Sequence, residues 1–371
     1  MKGFKVFYLI NCNYFCSMRN KENVNRTELS DLGEFGLIRR LTDGLKINKA
    51  TTLTGIGDDA AVISSEGGEI LVSTDLLIEG VHFNLSYTPL KHLGYKAAVV
   101  NFSDIAAMNG APEQITVSIA VSNRFSLEAI EELYDGIKLA CRKYNVDLVG
   151  GDTSSSVSGL FISVTVIGRA NKEDITYRNG ANINDLLFVS GDLGAAYMGL
   201  LLLERENQVF LASHGVQPKL TGHDYILERQ LKPEARTNIA KFLKNIGVKP
   251  TAMIDISDGL ASEILHICDA SKKGCTIYED KIPIDAATML MAEEFNIDPT
   301  IAALSGGEDY ELLFTIGQND YEKVKEIKEI TVIGHITEAH AGANLISRSG
   351  TQVPLTAQGW DAFFRSKYSK L

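Results

Sequence analysis

The stretch TLTGIGDDAAVIS (Thr52–Ser64) raises the first chemical question of this sequence. Its β-branched and small apolar residues predict a β-strand, yet Asp58 and Asp59 stand side by side in the middle, behind a Gly-x-Gly. Burying an unpaired carboxylate costs several kcal/mol or forces a large upward shift of its pKa. Two adjacent aspartates in such a strand therefore indicate a nearby counter-charge.

The segments that follow predict the rest of the architecture. A second strand at 69–83 follows the turn Glu66-Gly67-Gly68, and the pair predicts a hairpin. Residues 90–112 predict a helix that is apolar almost all round between 97 and 108, and such a helix is buried on most of its faces. Strands and helices alternate along the whole chain, with hairpins among them. The pattern predicts an α/β (α+β) chain of two domains with mixed sheets.

Length and composition set the outer limits. The 371 residues are 45% hydrophobic, which favours two domains over one. We expect a poorly ordered extension at 1–28, an N-terminal domain at 29–170 and a C-terminal α/β domain at 171–371. A net charge of −11 disfavours nucleic-acid binding. Five cysteines without a CxxC pair, and the lack of a long apolar run, predict a cytoplasmic protein with no membrane partner.

Aspartates recur at one kind of place, in or beside elements that are otherwise apolar. Clustered carboxylates repel one another unless cations intervene. Aspartate oxygens with a neighbouring hydroxyl are hard ligands that suit Mg²⁺ or Ca²⁺ rather than zinc. One shared cation site, or several, accounts for the whole set, which is Asp59, Asp75, Asp104, Asp152, Asp255 and Asp258.

Local explanations stay open for individual members of the set. Asp258 is a good helix N-cap, and Asp152 would stabilise a glycine turn. Asp75 would end a strand, and Asp104 would be satisfied by Asn101 or Ser103. These explanations must be invoked separately at each position, whereas a cation site needs to be invoked once.

Two familiar phosphate-binding motifs are excluded. The chain contains no G-x-x-x-x-G-K-[ST], so it is not a P-loop protein. GIGDDA matches G-x-G-x-x-A by letter, but its two aspartates would face a pyrophosphate and the chain continues as a strand where a helix is needed.

Six motifs together carry a family resemblance: GIGDDAAV, STDLLIEGVHF, KAAVVNFSDIAAMNGAP, VGGDTS, IDISDGL and LSGGEDYELLF. In this order and spacing, from about 33 to 364, the chain resembles the thiamine-monophosphate kinases of the aminoimidazole ribonucleotide synthetase-like superfamily. The resemblance implies a two-domain fold and a homodimer in which the N-terminal domains pair. It also implies the last step of thiamine diphosphate synthesis: ATP and several Mg²⁺ ions phosphorylate thiamine monophosphate.

The resemblance also implies site residues. Metal ligands would be Asp59, Ser73, Thr74, Asp75, Asp104, Asp152, Asp255 and Asp258. ATP contacts would come from Gly151, Asp152, Arg178 and Ser257, and substrate contacts from His82, Glu308 and Trp360. From the residues alone, other roles stay open: a surface charge for Arg178, a strand end for His82, a turn for Glu308, and packing on Phe363 and Phe364 for Trp360.

The chemistry predicts direct transfer without an acid or base side chain. A phosphomonoester is already largely anionic at neutral pH, so its oxygen needs no catalytic base. The obstacle is the repulsion between two polyanions that approach each other inside an acidic protein. Metal ions that bridge both phosphates would overcome this repulsion and orient an in-line attack. The alternatives are another enzyme of the superfamily, such as selenophosphate synthetase, and a non-catalytic protein that binds Mg²⁺ or nucleotide.

Overall fold

The computed structural model describes residues 32–213 and 216–357, so the predicted extension at 1–28 lies outside the described residues. The chain divides into two units, one of 1–45 with 361–371 and the other of 46–360. In the first unit the described segment contains helix α1 (Gly33–Thr42). Everything below concerns the second unit.

A six-stranded sheet occupies the N-terminal part of this unit. Its strand order is β1-β2-β3-β6-β4-β5, and neighbouring strands are antiparallel except for the parallel pair β4 and β5. The hairpin predicted around Gly67 is confirmed, because β2 pairs with β3 from Ile63 opposite Ile70. The strands are β1 (Thr52–Thr54), β2 (Ala61–Ile63), β3 (Glu69–Ile78), β4 (Ala111–Val121), β5 (Asp147–Ser155) and β6 (Leu160–Ala170).

The opening stretch does not form the single strand that its composition predicts. β1 ends at Thr54 and β2 begins at Ala61, and the two pair antiparallel from Thr52 opposite Ile63. Asp58 and Asp59 therefore lie in the connection between two short strands. The chain reverses over Gly55-Ile56-Gly57, where Gly57 has a φ of 126° that other residues rarely adopt.

Two helices cover one face of this sheet. Helix α2 (Leu90–Ala107) is buried along most of its length, as its apolar sequence predicts, and α3 (Leu127–Tyr144) packs beside it. The helices approach very closely at Gly94 and Gly136. A Cβ atom at Gly94 would lie 1.9 Å from the carbonyl oxygen of Leu133, and one at Gly136 equally close to that of Lys91. Glycine is therefore required at this crossing.

A seven-stranded mixed sheet occupies the C-terminal part of the unit, in the order β13-β12-β9-β11-β7-β10-β8. Only β12 and β9 are parallel among its described pairs. Two mixed sheets confirm the predicted fold class. The strands are β7 (Leu186–Ser190), β8 (Ala252–Asp255), β9 (Gly274–Tyr278), β10 (Leu312–Ile316), β11 (Ile330–Thr337), β12 (Ala343–Ile346) and β13 (Gln352–Pro354).

Both faces of the second sheet are covered, since alternate residues enter different cores. Leu187 and Val189 pack with apolar residues of helix α7 (Leu260–Ser271). On the other face, Phe188 stacks on Phe314 with ring centroids 5.6 Å apart. This second core also contains Ala106 from the end of α2, so it joins the two sheets. The helices are α4 (Ala195–Ala212), α5 (Asp224–Leu231), α6 (Thr237–Asn245), α7 (Leu260–Ser271), α8 (Ala286–Glu294), α9 (Pro299–Ser305) and α10 (Tyr321–Val324).

In the described part of the chain, every helix is too short or too polar to cross a lipid bilayer.

Candidate active site

Three aspartates from distant parts of the chain meet where the first sheet, helix α2 and the second sheet adjoin. Carboxylate oxygens of Asp59, Asp104 and Asp255 all lie within 4.8 Å of one another. Asp59 comes from the β1–β2 connection, Asp104 from α2, and Asp255 from the end of β8. Asp59 and Asp255 are only 7% and 4% exposed. A group of acids this close and this buried is a chemically suitable site for a divalent cation.

Hydroxyl and amide groups line the same place. The Ser73 hydroxyl donates to Asp104 Oδ2 at 2.6 Å, and the Ser103 hydroxyl donates to Asp255 Oδ2 at 2.6 Å. The backbone N–H of Asp75 donates to the side chain of Asn101 at 3.2 Å. Asp104 is thus hydrogen-bonded by Ser73 on β3, rather than by the residues on its own helix that the local explanation named.

Electrostatics shows that these acids do not ionise together freely. Burial raises the pKa of Asp255 to about 7, and the Asp59 carboxylate acts in the same direction. Burial, followed by the charges of Asp75, Asp255 and Asp59, raises the pKa of Asp104 well above its usual range. At neutral pH the cluster therefore binds protons or needs added positive charge.

Arg178 supplies part of that charge. Its Nε donates to Asp59 Oδ2 at 3.1 Å and its Nη2 bonds the other oxygen of Asp59. The Arg178 backbone N–H donates to Asp58 Oδ2 at 3.2 Å, while burial raises the pKa of Asp58 to about 6. The side chain is mostly buried, so it is not the surface charge of the local alternative. One guanidinium does not offset all the carboxylates around it.

Two predicted metal ligands, Thr74 and Asp152, lie elsewhere on the first sheet. Successive residues of a strand point to opposite faces, so Thr74 faces away from α2 while Asp75 faces it. The Thr74 hydroxyl lies 3.0 Å from that of Thr165 on the outer face. Asp152 lies on β5, three strands from Asp75 across the sheet, which corresponds to about 14 Å.

The surroundings of Asp152 differ from the predicted glycine turn, because β5 continues as a strand through Gly150 and Gly151 to Ser155. A Cβ at Gly151 would lie 1.8 Å from the Val117 carbonyl oxygen, so the close strand contact requires glycine. A groove of about 500 Å³ opens here, lined by Val117, Tyr134, Leu148, Val149, Gly150, Gly151, Asp152 and Thr153. Tyr134 on α3 was not singled out from the sequence, because a single tyrosine in an amphipathic helix carries no local signal.

The loop after β8 carries Ser257 and Asp258. Its backbone is held by Glu263 of α7, whose Oε1 accepts from the N–H groups of Ser257 at 3.2 Å and Asp258 at 2.8 Å. The residue before α7 is Gly259, and in the described structure no side chain caps this helix. The N-cap role considered for Asp258 is therefore wrong. Asp258 instead lies near Tyr310, whose pKa is raised mainly by burial and then by neighbouring acids including Asp258.

The predicted substrate residues His82, in the turn after β3, and Glu308, in the connection between α9 and β10, lie near each other. His82 Nδ1 accepts the Ile78 N–H at 3.0 Å, so in the neutral imidazole the proton is on Nε2. Burial lowers the pKa of His82, and the Glu308 charge opposes that shift. Glu308 is held by Lys96 and Gln230. Trp360 lies outside the described residues.

Comparison with known proteins gives consistent matches over most of the chain. Residues 57–170 match the AIR synthase related protein, N-terminal domain, and residues 186–344 match the AIR synthase related protein, C-terminal domain. Thiamine-monophosphate kinase of Bacillus subtilis is 34% identical over 90% of this chain and 100% of its own length. The enzyme of that name from Aquifex aeolicus is 35% identical over 84% of this chain and 93% of its own.

Solved structures agree with these matches. AaThiL complexed with AMPPCP and TMP has a TM-score of 0.77 and 32% identity, covering 91% of this chain and 99% of that one. The hydrogenase maturation protein HypE in complex with ATP shares the fold at 18% identity and a TM-score of 0.63, covering 89% and 98%. The chain belongs to the thiamine-monophosphate kinase family, within the AIR synthase related proteins.

Proposed function

We propose that this chain is an ATP-dependent thiamine-phosphate kinase, which transfers the terminal phosphate of ATP to thiamine monophosphate and so forms thiamine diphosphate. The support comes from relatives at 34% and 35% identity with that name and from the AaThiL complex with AMPPCP and TMP. The observation in this molecule that carries the proposal is the buried group of Asp59, Asp104 and Asp255, with carboxylate oxygens within 4.8 Å of one another.

The residues of this group fit Mg²⁺. Their oxygen ligands are hard, and two serine hydroxyls lie against them. We assign Asp59, Ser73, Asp75, Asp104 and Asp255 to metal binding in one chain, with Asp258 on the adjoining loop. When bound, Mg²⁺ would neutralise charge on the reacting phosphates.

Arg178 has a second role in this proposal. In the structure it neutralises Asp59, and a guanidinium also grips phosphate oxygens bidentately. When cations take over the aspartates, Arg178 becomes available to bind ATP, beside Ser257. No side chain acts as acid or base, because the phosphate oxygen of thiamine monophosphate is already anionic.

The groove beside Gly151 fits the nucleotide. It combines the Tyr134 ring with a glycine segment that permits close backbone approach, and both features suit a nucleotide. Asp152 lies too far from the buried aspartates, and the Thr74 side chain lies on the opposite face of the sheet, so neither shares a cation with them inside one chain.

A homodimer would remove that separation. Strand β5 is an edge strand whose residues are exposed except for the half-buried Leu148, and an exposed edge is a template for pairing with another chain. We propose that the N-terminal domains of two copies pair, so that Asp152 and Thr74 complete ATP and metal sites near the interface.

The thiamine portion would lie on the other side of the buried aspartates, near His82 and Glu308. A carboxylate accepts hydrogen bonds from an aminopyrimidine, and neutral His82 donates through Nε2 to a phosphate oxygen. Trp360 is proposed as an aromatic partner for the thiazolium cation.

The test is an assay of purified protein with ATP, Mg²⁺ and thiamine monophosphate, in which thiamine diphosphate is detected by fluorescence after oxidation. Product should form in proportion to ADP, and thiamine, selenide or phosphate as acceptors should release little ADP. ATP binding in calorimetry without any product would contradict the enzyme assignment. Recovery of phosphorylated protein from γ-labelled ATP, at a rate competent for turnover, would contradict direct transfer.

A further inference from the structure

The carboxylate of Glu308 is clamped by two buried side chains from different parts of the fold. Lys96 Nζ lies 2.7 Å from Glu308 Oε1, and Gln230 Nε2 donates to Glu308 Oε2 at 2.8 Å. Lys96 belongs to α2, which covers the first sheet, and Gln230 belongs to α5 in the C-terminal part. Each carboxylate oxygen thus receives one fixed donor, which determines the plane of the group.

The two clamping residues are themselves locked together. Lys96 Nζ donates to the backbone oxygen of Gln230 at 3.1 Å. The side chain of Lys96 is 7% exposed, and Gln230 is 6% exposed. Burying an ammonium group is costly unless it is paired, so Glu308 and Lys96 stabilise each other's charge.

The contact with Glu308 explains the orientation of the Gln230 side-chain amide. Its Oε1 is buried and has no hydrogen-bond partner among the described residues. An orphaned buried acceptor costs about 1–3 kcal/mol. The amide is nevertheless oriented with its N–H toward Glu308, which indicates that holding this carboxylate has priority over satisfying the amide.

The backbone under Glu308 is strained as well. Glu308 has a φ of 58° and Tyr310 a φ of 51°, a conformation unfavourable for residues other than glycine. The turn is tied to the loop that carries Ser257, since the Glu308 N–H donates to the Ser257 carbonyl at 2.6 Å. Strained backbone and clamped side chain together aim one carboxylate in one direction.

We propose that Lys96 and Gln230 are positioning residues for substrate recognition: they orient Glu308 so that its remaining lone pairs meet the exocyclic amine of the aminopyrimidine. This inference rests on the proposed function and extends it. It makes the clamp a specificity device, because an oriented carboxylate accepts from an amine but repels a carbonyl oxygen at the same position.

Steady-state kinetics of Lys96→Met and Gln230→Leu in the full-length enzyme test the clamp. Loss of a charge-assisted bond should raise KM for thiamine monophosphate about 10- to 100-fold in Lys96→Met, with KM for ATP unchanged. The ratio of kcat/KM for thiamine monophosphate to that for its 4-oxo analogue should fall at least about tenfold in both variants. Lys96→Arg should restore part of this ratio.

Lys143→Met is the matched control. Lys143 on α3 also pairs with a glutamate of the C-terminal part, Glu234, which has no proposed contact with substrate, and the Lys143 side chain is 46% exposed. It should leave KM and the analogue ratio unchanged. If the clamp were only structural, Lys96→Met and Gln230→Leu would lower the melting temperature without changing the ratio of kcat/KM for thiamine monophosphate to that for its 4-oxo analogue.

The two proposals fail in different ways. A wild-type enzyme inactive on thiamine monophosphate would overturn the proposed function. An active wild type, with Lys96→Met or Gln230→Leu folded and unchanged in KM and analogue ratio, would overturn the clamp alone. If Lys96→Met does not fold, Gln230→Leu and Lys96→Arg decide by the same ratio.

Discussion

Two groups of buried acids in this molecule differ in how their charge is balanced. Glu311, fully buried, lies 2.9 Å from Arg229 Nη1 and 2.6 Å from Arg236 Nε, and Ser190 donates a further hydrogen bond. Asp309 beside it accepts the backbone N–H of Gly194 at the start of α4. This arginine-rich group contains its own counter-charges.

The aspartate group around Asp59, Asp104 and Asp255 has an excess of negative charge. Arg178 alone is described against it, and it pairs mainly with Asp59. The difference teaches that burial of acids does not by itself indicate function. The chain itself balances the charge of the arginine-rich group, which serves the fold, whereas we propose that a bound cation balances the aspartate group.

The largest effect should come from neutralising one acid of the aspartate group. Asp75→Asn should lower turnover about 10³-fold or more, since cation binding near the phosphates supplies several kcal/mol. The fold should survive, because an isosteric amide relieves repulsion with Asp104. ADP release and thermal unfolding measure the two quantities. Asp135→Asn, at an exposed site on α3, should change neither. Near-normal turnover in Asp75→Asn would contradict a cation site.

A substitution in the arginine-rich group should instead affect stability. Glu311→Gln should lower the free energy of unfolding by about 3–5 kcal/mol, because the buried guanidinium of Arg229 and the half-buried one of Arg236 lose their partner charge. Urea denaturation provides the measurement. As a control, Glu228→Gln breaks an exposed pair with Lys232 and should cost less than about 1 kcal/mol. A loss below about 1 kcal/mol in Glu311→Gln would show that this group is not structural.

Added Mg²⁺ should distinguish the groups directly. A cation that binds the folded chain at 100 times its Kd stabilises it by about 2.7 kcal/mol. Wild type and Glu311→Gln should both gain this increment, while Asp104→Asn should lose most of it. Thermal unfolding with Mg²⁺, with EDTA and with NaCl of equal ionic strength measures the effect. An equal gain in Asp104→Asn would place the binding elsewhere.

The most gradual effect should be a pH dependence of the metal-free protein. Burial raises the pKa of Asp58 from 3.8 to about 6 and that of Asp255 from 3.8 to about 7. Both folded values exceed the unfolded ones, so this stabilisation is present below about pH 4 and is lost as pH rises to about 7, by at most about 1.4 kcal/mol per pH unit and group.

Melting temperatures in EDTA between pH 4.5 and 7.5 would measure this slope. Asp58→Asn should flatten it, and saturating Mg²⁺ should remove the part from the aspartate group. Burial also raises the pKa of Asp309 to about 7, and the contribution of Asp309 to the pH dependence should remain when Mg²⁺ is present. A melting temperature that rises with pH in EDTA for wild type, with no change in Asp58→Asn, would contradict the assignment.

Long periodic or apolar patterns were sufficient to predict the main elements. Helix α2 was recognisable because residues 97–108 are apolar almost all round, and such a sequence has few alternatives to burial. The β2–β3 hairpin followed from a glycine turn between two apolar runs. The break over Gly55-Ile56-Gly57 was missed, because strand propensities on both sides are continuous and the reversal depends on backbone freedom at glycine.

Site geometry was less accessible, since it depends on strand order. Local sequence indicates that Asp75 and Asp152 each follow an apolar run, but not that three strand spacings separate them. It also suggests phosphate for Arg178, whereas the structure pairs this arginine with Asp59. The Lys96 and Gln230 contacts with Glu308 join segments more than 70 residues apart, and single-sequence patterns carry no such information.

The crossing of α2 and α3 at Gly94 and Gly136 has a practical consequence. A single methyl group at either position would drive the helices apart, and α2 carries both Lys96 and Asp104. An alanine there would alter no charge, yet it would move Asp104, which we propose as a metal ligand, and Lys96, which we propose positions Glu308. Enzymes of this kind are thus open to inactivation at uncharged positions that no inspection of their chemistry would select.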